Sequence, residues 1–378
     1  MNTQSALPSH WNLTKRKYWQ VISLGLLLLG LVGCQAPGVP ASPTSPVTPV
    51  LPSSTPPAAL PTPVAHNVST AAEIPSSPTS APSPTPTSTP DPYAPWTIDY
   101  LREREYGGGE IEVQETLQVT SYYTRYLISY PSDGLQIYGF ANIPTGEGPF
   151  PVIIALHGYI EPPLYQTLDY TTGYADTLAR AGFLVLHPNL RGYRPSDEGE
   201  NLFRVGMATD VLNLIALVQT QAGQPGILEQ ADGEAIGLWG HSMGGGISTR
   251  VITVSPAVKA AVLYAAMSGD ERQNYEAINS WSYSIRGVEE LAVPEEELTR
   301  ISPIYFLENI TAAVSIHHGE SDELVPLGWS QDLCERLTLL EKRVECFTYP
   351  KMPHTFNGEG EQLFNQRVIE FFTRELQQ

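Results

Sequence analysis

Three cysteines and 21 lysines and arginines in 378 residues mark what this chain has little of. Three cysteines rule out a small scaffold built on disulfides. A formal net charge of −19 argues against nucleic acid, whose binders need a basic face, and equally against adhesion to anionic lipid through the domain surface. No Cys/His cluster has metal-ligand spacing, so neither a metal nor another cofactor is expected. No internal repeat is evident. The amino-terminal apolar run, Val21–Val32, has twelve residues, short of the roughly 20 that span a bilayer.

Proline is abundant but confined. Of 34 prolines, 18 lie between Gln35 and Trp96, a density that no packed core tolerates, because each removes a backbone donor and fixes φ. That window is Pro, Ser, Thr and Ala with almost no charge, and it reads as a disordered, semi-extended tether over residues 34–96. The remainder, 97–378, is ample for one large core. It holds 18 basic and 38 acidic side chains, and so all the excess acid.

Lys15, Arg16 and Lys17 precede the short apolar run, as in a secretory signal. The run ends Leu31-Val32-Gly33-Cys34, which resembles a bacterial lipobox. The resemblance implies cleavage after residue 33, acylation of Cys34, and a protein exported and held at the outer face of the cell membrane. Two acyl chains suffice for stable attachment.

Beyond Glu110 the pattern is first that of a hairpin. The runs Tyr126–Tyr130 and Leu135–Asn142 are joined by Ser132-Asp133-Gly134. Short, mainly apolar runs follow: 152–156, 183–186, 235–239, 260–263, 313–316 and 344–347. Runs apolar on both faces suit a parallel sheet covered by helices. Helix-like segments separate them at 174–181, 205–219, 243–254, 330–340 and 362–376. Such alternation predicts an α/β sandwich with right-handed crossovers. One crossover is long, 267–309, and contains Trp281, Tyr283, Tyr305 and Phe306. It follows the carboxyl end of a central strand, where such folds place ligand-contacting insertions, and is expected to cap or wall a site.

Gly240-His241-Ser242-Met243-Gly244 follows one apolar run and opens a helix. That is the context a G-x-S-x-G nucleophile turn requires. A serine hydroxyl needs a base, with an acid between them in chain order. Asp322 follows the run at 313–316 and His354 the run at 344–347. All three fall past strand ends on one edge. Glu320 is the rival acid. His317 and His318 precede the acid and are expected to be buried or bonded to backbone. Oxyanion donors are sought at Tyr159 and Met243. Tyr159 could act through its backbone N–H or its hydroxyl, or merely wall the site.

With these motifs in order, the stretch Tyr126 to Gln378 resembles the α/β-hydrolase catalytic domain of prolyl oligopeptidase and dienelactone hydrolase relatives. The matching features are Gly134 to Gly139, Pro151 to Gly158, Arg191-Gly192, Gly240 to Gly244, His318-Gly319 with Asp322 and Val325-Pro326, and His354. The resemblance implies an eight-stranded, mostly parallel sheet, with Ser242 as nucleophile, Asp322 as orienting acid and His354 as base. The oligopeptidases carry a β-propeller ahead of this domain, where this sequence has the Pro-rich window. That departure favours a carboxylic ester as substrate over a short peptide. A binding lipoprotein on a dead hydrolase fold is the reading from another class, and the complete set of three residues counts against it. Cys334 and Cys346, on a helix and the strand after it, form either a disulfide or two buried thiols. Tyr193, Arg194 and Glu161 are further candidates for substrate contact.

Overall fold

The computed structural model describes residues 91–377. The leader, Cys34 and the Pro-rich window up to residue 90 lie outside the described residues. The domain takes in the end of that window. Ala94–Trp96 forms a 3-10 turn, the Trp96 ring lies 5.9 Å from that of Phe203, and Asp91 pairs with Arg300 at 2.8 Å.

Among the described residues the sheet has nine strands, in the order β1-β2-β3-β5-β4-β6-β7-β8-β9. They are β1 Glu112–Val119, β2 Tyr123–Ser132, β3 Leu135–Pro144, β4 Phe150–Leu156, β5 Leu184–Pro188, β6 Ala231–His241, β7 Val258–Tyr264, β8 Ala313–Gly319 and β9 Val344–Tyr349. The count corrects the expectation of eight. The additional strand, β1, is an exposed edge whose alternation is broken by register shifts at Val113/Glu115 and Thr116/Gln118. Those irregularities, with Glu112 and Glu115, guard an edge that would otherwise invite another strand.

β1, β2 and β3 are antiparallel, and β4 to β9 run parallel to one another. Ser132 pairs with Leu135 across a two-residue turn. Asp133 and Gly134 both take positive φ, at 49° and 81°, as the tightest right-twisted hairpin demands.

Side chains alternate between two cores. In β4, Val152, Ile154 and Leu156 face one side, and Ile153 and Ala155 the other. The first face is covered by the helices Val205–Gln221 and Met243–Val254, with Leu333 and Leu337 of the helix Leu327–Leu339. The second is covered by Thr172–Arg180 and by Gly358–Leu376 through Phe364, Val368, Phe371 and Phe372. The helix Val205–Gln221 is buried nearly all round, which explains its unbroken apolar character.

Between β7 and β8 lie three helices, Glu271–Trp281, Val288–Leu291 and Glu295–Ile301, and two 3-10 turns. Charge anchors this insertion. Glu271 is buried between Arg250 of the helix Met243–Val254, at 2.5 Å, and Arg204.

Candidate active site

The turn after β6 places Ser242 at φ 56°, ψ −115°. This conformation is costly for a residue with a Cβ and persists only where the surroundings over-determine it. Here they do. The Ser242 N–H donates to the Tyr264 carbonyl at 2.9 Å, and its own carbonyl accepts from Gly246 at 3.1 Å and Met267 at 3.0 Å. Glycine is required on both sides. A Cβ on Gly240 would stand 2.3 Å from the Gly244 carbonyl oxygen, and one on Gly244 would stand 2.4 Å from that of Leu156. The side chain of Ser242 is thereby lifted to the carboxyl edge of the sheet, at the amino end of the helix Met243–Val254.

The loops after β8 and β9 meet on the same edge. His354 Nδ1 lies 2.8 Å from Asp322 Oδ2. The other carboxylate oxygen accepts the backbone N–H groups of Leu324 and Val325, each at 2.9 Å. Burial would raise the Asp322 pKa, but the hydrogen bonds from His318 and His354 prevail and hold it well below the usual carboxylate range. With its proton on Nδ1, His354 leaves Nε2 as the basic nitrogen. The His354 ring centroid is 4.6 Å from that of His241, the residue before Ser242.

His318 is buried as expected, yet it also faces the acid. Its Nε2 lies 3.1 Å from Asp322 Oδ2 and 3.0 Å from the Val325 carbonyl, and its Nδ1 lies 2.7 Å from Ser330 Oγ. Glu320 instead accepts from Thr348 at 3.1 Å. His317 is spent inside the fold, on Ser315 and the Tyr349 hydroxyl.

The loop after β4 closes the site. A Cβ on Gly158 would stand 3.1 Å from the Ser242 Cβ, so the Gly158–Tyr159 peptide runs beside the nucleophile. Met243 occupies the first position of its helix, where backbone N–H groups have no intrahelical acceptor. The Tyr159 hydroxyl is turned away, toward the insertion, where it accepts from Arg286. Arg286 also forks onto both Glu161 oxygens, at 3.0 and 3.1 Å. Its guanidinium lies 5.3 Å from the Tyr159 ring centroid and 5.8 Å from that of Trp281. Glu161 is thus committed to Arg286, and Tyr193 is buried against His157. Arg194 lies on the exposed surface and precedes a cis proline.

Several of these residues carry no signal in the sequence. Arg286 stands in no motif. Tyr170 receives the Gly158 N–H at 2.8 Å and lies 2.6 Å from His241 Nδ1, and nothing around it in the chain announces either contact. The spacing His318-x-x-x-Asp322 is a signal for His318, once the acid is known.

The three cysteines divide. Cys34 lies outside the described residues, while Cys334 and Cys346 are joined by a disulfide, with Cα atoms 6.4 Å apart.

A relative from Bacillus subtilis, described as an uncharacterized peptidase, YtmA, is 27% identical over 255 residues, which cover 66% of this chain and 91% of the relative. A putative carboxymethylenebutenolidase of Synechocystis is 22% identical over 274 residues, covering 66% and 96%. Among solved structures, acetyl xylan esterase 1 of Thermoanaerobacterium superposes with a TM-score of 0.54 at 19% identity, over 74% of this chain and 92% of the esterase. The acylaminoacyl peptidase of Pyrococcus horikoshii gives 0.54 at 23%, over 68% of this chain but only 42% of its own. These two superpositions establish an α/β-hydrolase fold. The family model for prolyl oligopeptidases matches residues 170–378, more than half of the chain. The chain belongs to the prolyl oligopeptidase family of serine hydrolases.

Proposed function

We propose that this protein hydrolyses carboxylic esters through an acyl-enzyme on Ser242. The observation that carries the reading is the 2.8 Å bond between His354 Nδ1 and Asp322, beside a serine held in a strained strand-to-helix turn. His354 Nε2 takes the Ser242 proton as the oxygen attacks the ester carbonyl. The resulting oxyanion accepts the backbone N–H groups of Tyr159 and Met243. The hydroxyl of Tyr159 is engaged by Arg286, which leaves the backbone donor as the better-placed one. The imidazolium then protonates the departing alcohol, while Asp322 holds its tautomer and charge. Water repeats the sequence on the acyl-enzyme, releasing the acid and restoring Ser242.

Ester is preferred over peptide because a Pro-rich window stands directly before the domain in this sequence. The peptidase reading keeps the support of the YtmA relative and of the acylaminoacyl peptidase superposition. A panel of nitrophenyl esters against prolyl and acylaminoacyl amides decides between them. Amide turnover matching ester turnover reverses the preference. Ser242→Ala should abolish both ester turnover and labelling by a fluorophosphonate, and retained labelling overturns the nucleophile. The amino-terminal motif supports acylation of Cys34 and attachment to the outer face of the membrane. Intact-mass measurement of the mature protein tests this, and an unmodified Cys34 refutes it.

A further inference from the structure

The hydrogen bonds around Tyr170 and His241 leave no choice of direction. The Gly158 N–H can only donate, and it meets the Tyr170 hydroxyl at 2.8 Å. The His354 carbonyl oxygen can only accept, and it meets His241 Nε2 at 3.0 Å. Between them Tyr170 Oη and His241 Nδ1 stand 2.6 Å apart. His241 is buried, and burial pushes its pKa well below the ordinary histidine value. It is therefore a neutral ring with one N–H. That proton sits on Nε2, the nitrogen facing a carbonyl. Nδ1 is then a lone pair, the Tyr170 proton points at it, and the Tyr170 oxygen is left to accept from Gly158. One chain of donors runs from the loop after β4, through Tyr170 and His241, to the loop after β9.

Both ends of that chain bear on the reaction. At one end is the residue before Tyr159, against the Ser242 Cβ. At the other is the backbone of His354. In the middle is the residue before the nucleophile, its ring centroid 4.4 Å from that of Tyr264. The Gly158 carbonyl lies 2.8 Å from His157 Nδ1. In a trans peptide the Tyr159 N–H points the opposite way, away from His157. The peptide expected to receive the oxyanion is thus held on its Gly158 N–H side by the Tyr170 hydroxyl.

We propose that Tyr170 and His241 are positioning residues, forming one brace that sets the oxyanion loop and the base loop relative to each other across Ser242. The proposal rests on the acyl-transfer reading above. Neither side chain is assigned contact with substrate. Their effect is to hold two groups that must act on the same carbonyl.

Tyr170→Phe keeps the ring and removes the hydroxyl. His241→Asn keeps an acceptor near Nδ1 but removes the donor to His354. Each variant should lower kcat on a nitrophenyl ester about ten- to a hundredfold with little change in KM, the scale of loss for a catalytic group displaced by a fraction of an ångström. The double variant should fall no further than the worse single, as groups acting as a unit do. Losses that multiply in the double variant, or a kcat within about twofold of wild type in either single, overturn the brace, since the predicted losses lie well above that margin. Should a variant fail to fold, hydrogen exchange in the wild-type protein reads the same bond: the Gly158 amide should exchange slowly, and rapid exchange overturns the proposal. A wild-type protein that neither turns over esters nor takes a fluorophosphonate sinks the acyl-transfer reading instead, and the exchange rate of Gly158 then still decides whether the brace exists.

Discussion

His318 shares an oxygen of Asp322 with His354: its Nε2 lies 3.1 Å from Oδ2, which His354 approaches at 2.8 Å. A carboxylate whose second oxygen already accepts two backbone N–H groups is thereby surrounded by donors. Its charge is stabilised without solvent, because none of its side chain is exposed. The arrangement fixes the direction in which Asp322 faces His354, and hence which nitrogen of His354 stays free for a proton.

That environment has a consequence for stability. The folded pKa of Asp322 is depressed, so its contribution is fully present above the unfolded-state value, about 3.9, and is lost as pH falls through the folded value. The stability difference between wild type and Asp322→Asn, measured by urea unfolding at stepped pH, should therefore shrink as the pH drops below about 4. A difference unchanged down to pH 3 would show that the native state does not favour the carboxylate.

Much of this site can be read along the chain, because Ser242 follows a wholly apolar run and Asp322 and His354 follow mainly apolar ones, interrupted only by Ser315 and Glu345. Such runs announce buried parallel strands, and a buried parallel sheet places its strand ends on one edge. β1 announces nothing of the kind: it is polar and exposed, and its bulges break the alternation that marks a strand. Tyr170 and His241 are 71 residues apart, and only the folded domain brings them into contact. The same holds for Arg286 and Tyr159, and for Glu271 between its two arginines. Short-range patterns carry strands and turns. Pairings between loops depend on packing that no local pattern records.

The glycines of the nucleophile turn make a contrast that can be measured. Gly244→Ala would drive a Cβ to 2.4 Å from the Leu156 backbone, and neither side can yield without moving β4 or the helix. A loss of about 2 kcal/mol or more is expected, together with loss of fluorophosphonate labelling. Gly328, near the start of the helix Leu327–Leu339, has nothing among the described residues within 4 Å of the same position. Gly328→Ala should gain about 0.5 kcal/mol by restricting the unfolded chain. Thermal melts of the two variants should move in opposite directions, and a neutral Gly244→Ala would mean that the turn is looser than described.

The insertion is held by an ion cluster with little slack. Glu271→Gln keeps the shape but leaves the buried Arg204 and Arg250 without their counter-charge, and should cost about 3–5 kcal/mol. Glu276, largely exposed and 4.0 Å from Arg272, is the control: Glu276→Gln should change stability by no more than about 0.5 kcal/mol. Urea midpoints of the two variants make the comparison. Equal effects would show that the cluster is not what anchors the insertion.

The disulfide closes a short segment between the helix Leu327–Leu339 and β9, with a sequence separation of 12. Cross-linking a loop of this length removes unfolded-state entropy worth about 3 kcal/mol. Among the described residues β9 ends the strand order and pairs only with β8, so the bond also ties down an edge whose next loop carries His354. Reduction, or Cys334→Ala with Cys346→Ala, should lower the unfolding free energy by about 2–3 kcal/mol. Because Asp322 and His241 still bond to His354, and His318 to Asp322, in the reduced protein, ester turnover at 25 °C should be retained, and reduction should lower the temperature at which it fails. Turnover lost at 25 °C on reduction, with the fold intact by circular dichroism, would instead give the disulfide a direct part in placing the base.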